Sequence, residues 1–146
     1  ALAGTMRLCG DQLSGEGEQV RWAPKDIEEL EVNINLQRFY AGTDTAKLLE
    51  LDNDFHKTIY RICNKMQIHY MVSLMSIHFD RVRKLSLESV KDSKILSDHV
   101  AILEAIKEKD KEKARNAVAR HMERFDMDWS IIKEVFSEYI STEETT

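Results

Sequence analysis

The chain has 146 residues, of which 42% are apolar and 32% are charged. This length suits one domain, and the apolar share is sufficient for a packed core, which excludes a chain that is disordered throughout. The net charge is −5 with the histidines neutral. Because an acidic surface repels phosphate backbones, we do not expect these residues to bind nucleic acid directly.

Signals for a membrane span or for secretion are missing from the sequence. No window approaches the roughly eighteen uncharged apolar residues of a membrane helix, and no basic segment followed by an apolar one opens the chain. The two cysteines, Cys9 and Cys63, are far apart and lack the spacing of a metal site. We therefore expect a reduced protein in the cytoplasm, with no membrane partner.

The glycines divide the chain unevenly, since four of the five lie in the first 17 residues. Residues 1–22 are interpreted as a partial first helix or a fragment end. Residues 23–141 are predicted to form one helical domain, because breakers are almost absent there. The polar tail 142–146 is expected to be frayed.

Apolar residues recur with a period near 3.6 in five successive segments, and no alternating stretch competes with them. The five predicted helices run from Pro24 to Ala41, Asp44 to Asn64, Met66 to Leu87, Ser93 to Lys107 and Asp110 to Ile140. Since the connections are short, neighbouring helices should pack antiparallel. Counting the partial first helix in residues 1–22, the predicted fold is all-α, an antiparallel helical bundle of about six helices with a central metal or ligand cavity.

Helix ends and core stripes follow from the same pattern. Pro24 marks a first turn and Gly42 an exit, while Thr43 or Asp44 is the predicted N-cap of the second helix and Asp110 that of the fifth. The predicted apolar stripe of the first helix comprises Ile27, Leu30, Ile34 and Phe39, and that of the third includes Met71 and Leu74.

Polar residues interrupt these stripes at four places. Asp52 lies inside the stripe of the second helix, and His56 follows one turn later on the same face. His99 stands between two apolar residues of the fourth helix, and His121 does the same in the fifth. Four side chains that can bind a metal therefore point where a bundle should bury hydrocarbon.

A buried carboxylate such as Asp52 needs a partner, and neutral imidazoles supply no fixed positive charge. A divalent cation would pair with the carboxylate and accept the nitrogen lone pairs. Three histidines and one aspartate suit zinc, nickel, iron or manganese, and an octahedral ion would keep two positions for water or a ligand oxygen. The alternative is that each histidine is a satisfied core residue, or that Asp52 and His56 form a local pair at an exposed edge.

Residues of the third helix are candidates for effector binding. Arg81 and Arg83 could face a carboxylate ligand, and His78 could line the same cavity. The alternatives are a solvated basic patch and a boundary histidine. Signals for catalysis are weak, since no phosphate loop or HExxH motif occurs. A metal-dependent enzyme on a three-histidine bundle remains the alternative to a non-catalytic protein.

A family resemblance joins these residues. The segment Leu51-Asp52-Asn53-Asp54-Phe55-His56, the following Asn64, the stretch from His99 to Ile106, Asp110, Ala114 and His121 resemble the effector-binding (FCD) domain of FadR/VanR-type GntR transcriptional regulators. That family has an aspartate three residues before Phe-His, then a His-x-x-Ile-x-x-Ala-Ile stretch and a final histidine about 22 residues on. The resemblance extends from Pro24 to Phe136.

The resemblance implies an all-helical sensor with a central divalent metal and a small carboxylate metabolite as effector. Asp52, His56, His99 and His121 fall on the family's metal-ligand positions. Arg81, Arg83, His78 and Asn64 are the residues predicted to bind the effector. These domains usually form homodimers and act on DNA through an N-terminal winged helix. That winged helix is not recognised in these residues, and residues 1–22 match the family's first helix poorly.

Overall fold

The computed structural model describes residues 23–71, 73, 74, 84, 93–121 and 123, and the regular structure in these ranges is entirely α-helical. The helices are α1 (Pro24–Tyr40), α2 (Thr45–Ile62), α3 (66–71), α4 (Ser93–Lys107) and α5 (111–121). The all-α prediction is confirmed, and the bounds of α1, α2 and α4 agree with prediction to within two residues. The remainder of the predicted third and fifth helices, residues 1–22 and residues 142–146 lie outside the described residues.

Local polar contacts set the ends of the first two helices. The Asp26 carboxylate accepts a hydrogen bond from the Ala23 N–H at 2.9 Å, which satisfies a donor at the start of α1. Gly42 follows α1 with a φ of 75°, a left-handed conformation that glycine adopts without steric cost. Asp44 then caps α2, because its side chain accepts the Lys47 N–H at 2.9 Å.

Two helices end in the same backbone motif. After α2, Asn64 has a φ of 54° and donates its N–H to Arg61, while Lys65 donates to the Tyr60 carbonyl. After α4, Lys109 has a φ of 55° within an equivalent pair of hydrogen bonds. This is the Schellman arrangement, which satisfies the last carbonyls of a helix. The predicted end of the second helix near Asn64 is therefore confirmed.

α1 and α2 form an antiparallel hairpin. The Asn33 side chain, in the second half of α1, donates to the Leu51 carbonyl near the start of α2. Asp26, at the start of α1, forms an ion pair of 3.1 Å with Arg61 at the end of α2. Early positions of one helix therefore meet late positions of the other, as the short connection predicted.

α4 packs against α1 in the same antiparallel sense. Gln37 near the end of α1 contacts His99 in the first half of α4, whereas Glu31 pairs with Lys107 at the end of α4. A surface groove of about 170 Å³ lies between the two helices, with Arg38 and Glu104 on its walls. The predicted central cavity is a different feature and stays a prediction.

The core lies where α1, α2, α4 and α5 meet. Its buried members include Leu30, Ile34, Phe55, Ile59, Tyr60, Ile102, Leu103, Ile106, Ala117 and Val118. Burial of these apolar side chains is the main force that holds the helices together. Within the described ranges, no helix is long and apolar enough to span a membrane.

The predicted stripes were wrong at three positions. Phe39 is 73% exposed, and Met71 and Leu74 are also mostly exposed. The inward positions of α1 at this level belong instead to Asn33 and Gln37, which are both buried. The residues that face the core of a helix are thus not always its most apolar ones, because a buried polar residue with hydrogen-bond partners can take their place.

Candidate metal centre

Three helices bring the four predicted metal ligands to one point. Asp52 and His56 project from α2, one turn apart, while His99 comes from α4 and His121 from α5. One ligand atom from each of these residues lies within 4.8 Å of all the others. The convergence of helices on which the predicted site depends is therefore present in the structure.

The ring nitrogens and the carboxylate face one another at short range. The Nε2 atoms of His56 and His121 are 3.1 Å apart. The Asp52 Oδ1 atom is 3.3 Å from the His99 Nε2 and 3.8 Å from the His56 Nε2. Asp52, His99 and His121 are buried, and the His56 side chain is 15% exposed. The cluster thus lies inside the helical packing and not on its surface.

Two further buried side chains contact the outer nitrogens of the histidines. The Gln37 Oε1 atom is 2.8 Å from the His99 Nδ1, and the Asp98 Oδ2 atom is 3.4 Å from the His121 Nδ1. An acceptor at Nδ1 keeps the proton on that nitrogen and directs the Nε2 lone pair to the opposite side. In both residues the opposite side is the cluster.

Burial favours the neutral form of His56. It lowers the pKa of this imidazole from 6.5 to about 3, and the positive charge that His121 and His69 can carry contributes further. A neutral imidazole keeps a lone pair on its unprotonated nitrogen, which is the form that binds a metal. His56 is therefore ready to act as a ligand near neutral pH.

The donor set fits a divalent transition ion. With bonds of about 2.1 Å, two nitrogens on one ion lie roughly 3.0 to 3.4 Å apart in octahedral or tetrahedral geometry. The separations of 3.1 Å between His56 and His121 and 3.3 Å between His99 and Asp52 fall in this range. In addition, the carboxylates of Asp52 and Asp98 bring negative charge that a divalent cation would balance. These residues could hold such an ion without a change in the fold.

The structure describes only one of the four residues that were predicted to bind the effector. Asn64 is described, and it lies exposed after the end of α2, where its left-handed conformation has a structural reason. His78, Arg81 and Arg83 lie outside the described residues. A role of these four residues in effector binding stays a prediction.

The residues that support the ligands were not predicted from the sequence. Asn33 and Gln37 occupy core positions of α1, and they could have been found as polar interruptions of the stripe that contains Leu30 and Ile34. Asp98 precedes His99 directly and therefore lies about 100° from it around the helix. It is buried because it faces α5, and neither spacing nor composition reveals this contact.

Comparison with models of protein families gives a match to the FCD domain over residues 20–124. The matched range contains all four clustered residues and the helices that carry them. A search of curated proteins gives no match. Because the family match covers well over half of the sequence, the chain belongs to the FCD domain family, consistent with the C-terminal domain of a GntR-family regulator.

Proposed function

We propose that this chain is the effector-sensing and dimerisation domain of a GntR-family transcriptional regulator. In this proposal Asp52, His56, His99 and His121 bind one divalent transition metal, and a small carboxylate metabolite binds next to it. Effector binding modulates DNA binding by a winged-helix domain. The observation that carries the proposal is the meeting of these four side chains, from three helices, in a domain of a regulatory family.

The residues of the site have separable tasks. Asp52 contributes negative charge, and the three histidines contribute neutral nitrogen donors. Asp98 and Gln37 hold the outer nitrogens of His121 and His99. When bound, the ion supplies positive charge and free coordination positions for the carboxylate oxygens of the effector.

Signalling requires that the effector prefers one arrangement of the helices. The ligands come from α2, α4 and α5. A change in the distances between the metal and its ligands would therefore alter the packing of three helices at once. A ligand shifts such an equilibrium only by the difference between its affinities for the two arrangements. The FCD family is regulatory, which favours this function over catalysis.

Metal binding is tested by thermal unfolding. We expect zinc, nickel or manganese to raise the Tm of chelator-stripped protein, because an ion that binds only the folded state at 100 times its Kd adds about 2.7 kcal/mol. His99→Ala should abolish the gain, and so should Asp52→Asn, which preserves the side-chain shape. His69→Ala is the matched control, since His69 lies outside the cluster and should not affect the gain.

Equal gains in the wild type and in both ligand variants would contradict the proposed site. Metal analysis that returns less than about one-tenth equivalent after purification without chelators would favour histidines that only form hydrogen bonds, because sites of this kind bind their metal strongly.

The effector and the dimer need separate measurements. Native mass spectrometry of the purified protein reports metal, any retained small molecule and oligomeric state together. We expect a panel of mono-, di- and tricarboxylates, titrated by calorimetry, to include a compound that binds the metal-loaded protein and not the stripped one. Binding that is unchanged after metal removal, or turnover of the bound compound that chelation abolishes, would contradict the proposal.

A further inference from the structure

Buried side chains form a continuous path of hydrogen bonds from the backbone of α2 to the ring of His99. The Asn33 Nδ2 atom donates to the Leu51 carbonyl at 2.9 Å, and the Gln37 Nε2 atom donates to the Asn33 Oδ1 at 2.6 Å. The Gln37 Oε1 atom then lies 2.8 Å from the His99 Nδ1. Asn33, Gln37 and His99 are at most 9% exposed, so water does not replace these contacts readily.

The direction of every bond in this path follows from its first member. A backbone carbonyl oxygen can only accept, so Asn33 must present its NH₂ group to Leu51 and its oxygen to Gln37. Gln37 must therefore donate to Asn33, which turns its own oxygen towards His99. Because that oxygen is also only an acceptor, His99 must donate through Nδ1. The Leu51 carbonyl thus determines which nitrogen of His99 carries the proton.

Another acceptor lies on the other side of the ring. The Asp52 Oδ1 atom is 3.3 Å from the His99 Nε2 but outside hydrogen-bond geometry, so this carboxylate would accept a proton from Nε2 only after a small change of orientation. A proton on Nε2 would occupy the lone pair that a metal needs. Gln37 is therefore the hydrogen-bonded acceptor for the ring proton, and Asp52 is the acceptor that would take it if Gln37 were lost.

We propose that Gln37 and Asn33 are positioning residues that hold His99 in the Nδ1-protonated tautomer, so that its Nε2 lone pair faces the metal site. This inference rests on the proposed function for the identity of the site. The path begins at Leu51, next to the ligand Asp52, and ends at the ligand His99. It therefore also sets the positions of α2 and α4 relative to each other through α1.

If Gln37 and Asn33 had a purely structural role, their loss would have the same effects as the loss of another hydrogen bond between α1 and α2. Thr58, which is buried, donates to Glu29 at 3.0 Å across the same helix pair, but neither residue touches a clustered histidine. Thr58→Val is therefore the control, because it removes a hydrogen bond between α1 and α2 from a buried donor, although the acceptor Glu29 is exposed. It should lower stability without a change at His99.

The first measurement is the tautomer of His99 in the metal-free full chain, read from long-range ¹H–¹⁵N correlation spectra. We expect Nδ1–H in the wild type and in Thr58→Val. We also expect it in Gln37→Glu, whose carboxylate still accepts from Nδ1 although it can no longer donate to Asn33. Gln37→Leu removes the acceptor and should transfer the proton to Nε2. A wild-type His99 protonated on Nε2 would overturn the inference without any variant.

The second measurement is zinc affinity, obtained by competition with a chromophoric chelator. We expect Gln37→Leu to bind zinc roughly 10 to 100 times more weakly, as loss of a hydrogen-bond partner behind a ligating histidine usually does. Thr58→Val and Gln37→Glu should bind within a few-fold of the wild type even if they are less stable.

The outcomes separate this inference from the proposed function. Wild-type protein that binds no zinc contradicts the metal site, while the tautomer measurement still decides the role of Gln37. Wild-type protein that binds zinc, together with a Gln37→Leu variant that has equal affinity and an unchanged tautomer, overturns the inference and leaves the metal site standing.

Discussion

His56 is held neutral by burial, which lowers the pKa of its imidazole to about 3. Its exposed counterpart in the unfolded chain takes up a proton near pH 6.5. Between these two pH values the unfolded state binds one proton more than the folded state at this residue. The contribution of His56 to stability is therefore complete above about pH 6.5 and is lost progressively as the pH falls towards 3.

This difference predicts how the stability of the metal-free protein depends on pH. We expect the free energy of unfolding, measured with urea in the presence of a chelator, to fall from pH 7 to pH 4. His56 alone should contribute a slope of up to about 1.4 kcal/mol per pH unit. His56→Leu should show a shallower slope over the same range. Parallel slopes in the two proteins would contradict a neutral, buried His56.

The site also depends on residues that support its four ligands. His99 and His121 each have an acceptor at Nδ1, from Gln37 and Asp98 respectively. A histidine without such an acceptor can rotate or change tautomer, and either change moves its lone pair away from the site. The supporting residues are therefore as much a part of the centre as the ligands.

At the scale of the helices, the two Schellman ends place non-glycine residues in a left-handed conformation. Asn64 tolerates this conformation because a short polar side chain can bond locally, whereas Lys109 has no such advantage. The strain at Lys109 occurs in the turn between α4 and α5, which brings His99 and His121 onto neighbouring helices. The left-handed conformation of Lys109 allows a short connection between α4 and α5.

Glycine substitutions at two neighbouring lysines test this description. Lys109→Gly should raise the free energy of unfolding by about 1 kcal/mol, because glycine adopts a positive φ without a steric cost. Lys111→Gly is the matched control: the same change inside the exposed first turn of α5 should lower stability by up to about 1 kcal/mol. Urea unfolding of both variants provides the measurement, and effects of the same sign would contradict the assignment.

At the scale of the whole molecule, the apolar core and the candidate metal centre are in direct contact. The Phe55 ring is fully buried and stacks on the His99 ring, with centroids 4.2 Å apart. Phe55 belongs to the apolar core, and His99 belongs to the cluster. The hydrocarbon core therefore forms one wall of the site and excludes water from that side.

Two phenylalanine variants distinguish core from surface. Phe55→Ala should cost about 3 to 5 kcal/mol, because it leaves a cavity beside His99. Phe39→Ala should change stability by no more than about 0.5 kcal/mol, since this ring is 73% exposed. Thermal unfolding with chelator gives both values. A large loss from Phe39→Ala would show that this face is covered in solution, contrary to its exposure here.

The sequence by itself determined α1, α2 and α4 with their ends, and it identified the four residues that cluster. Periodicity near 3.6 and side chains such as Asp44, Gly42 and Asp110 act within a few residues of themselves, so their effects can be predicted locally. Asp52 and His56 share a face of α2 for the same local reason. Their combination with His99 and His121 was predicted from in-stripe placement and from the family resemblance.

Only the tertiary structure decided how the four side chains meet and what supports them. The distance from His56 to His121 depends on how α2 packs against α5, and the roles of Gln37 and Asp98 depend on contacts between helices far apart in sequence. Burial of Gln37 in place of Phe39 also depends on contacts between helices. Which face of a helix turns inward depends on its contacts with all the neighbouring helices. The residue pattern of one helix carries no information about those contacts.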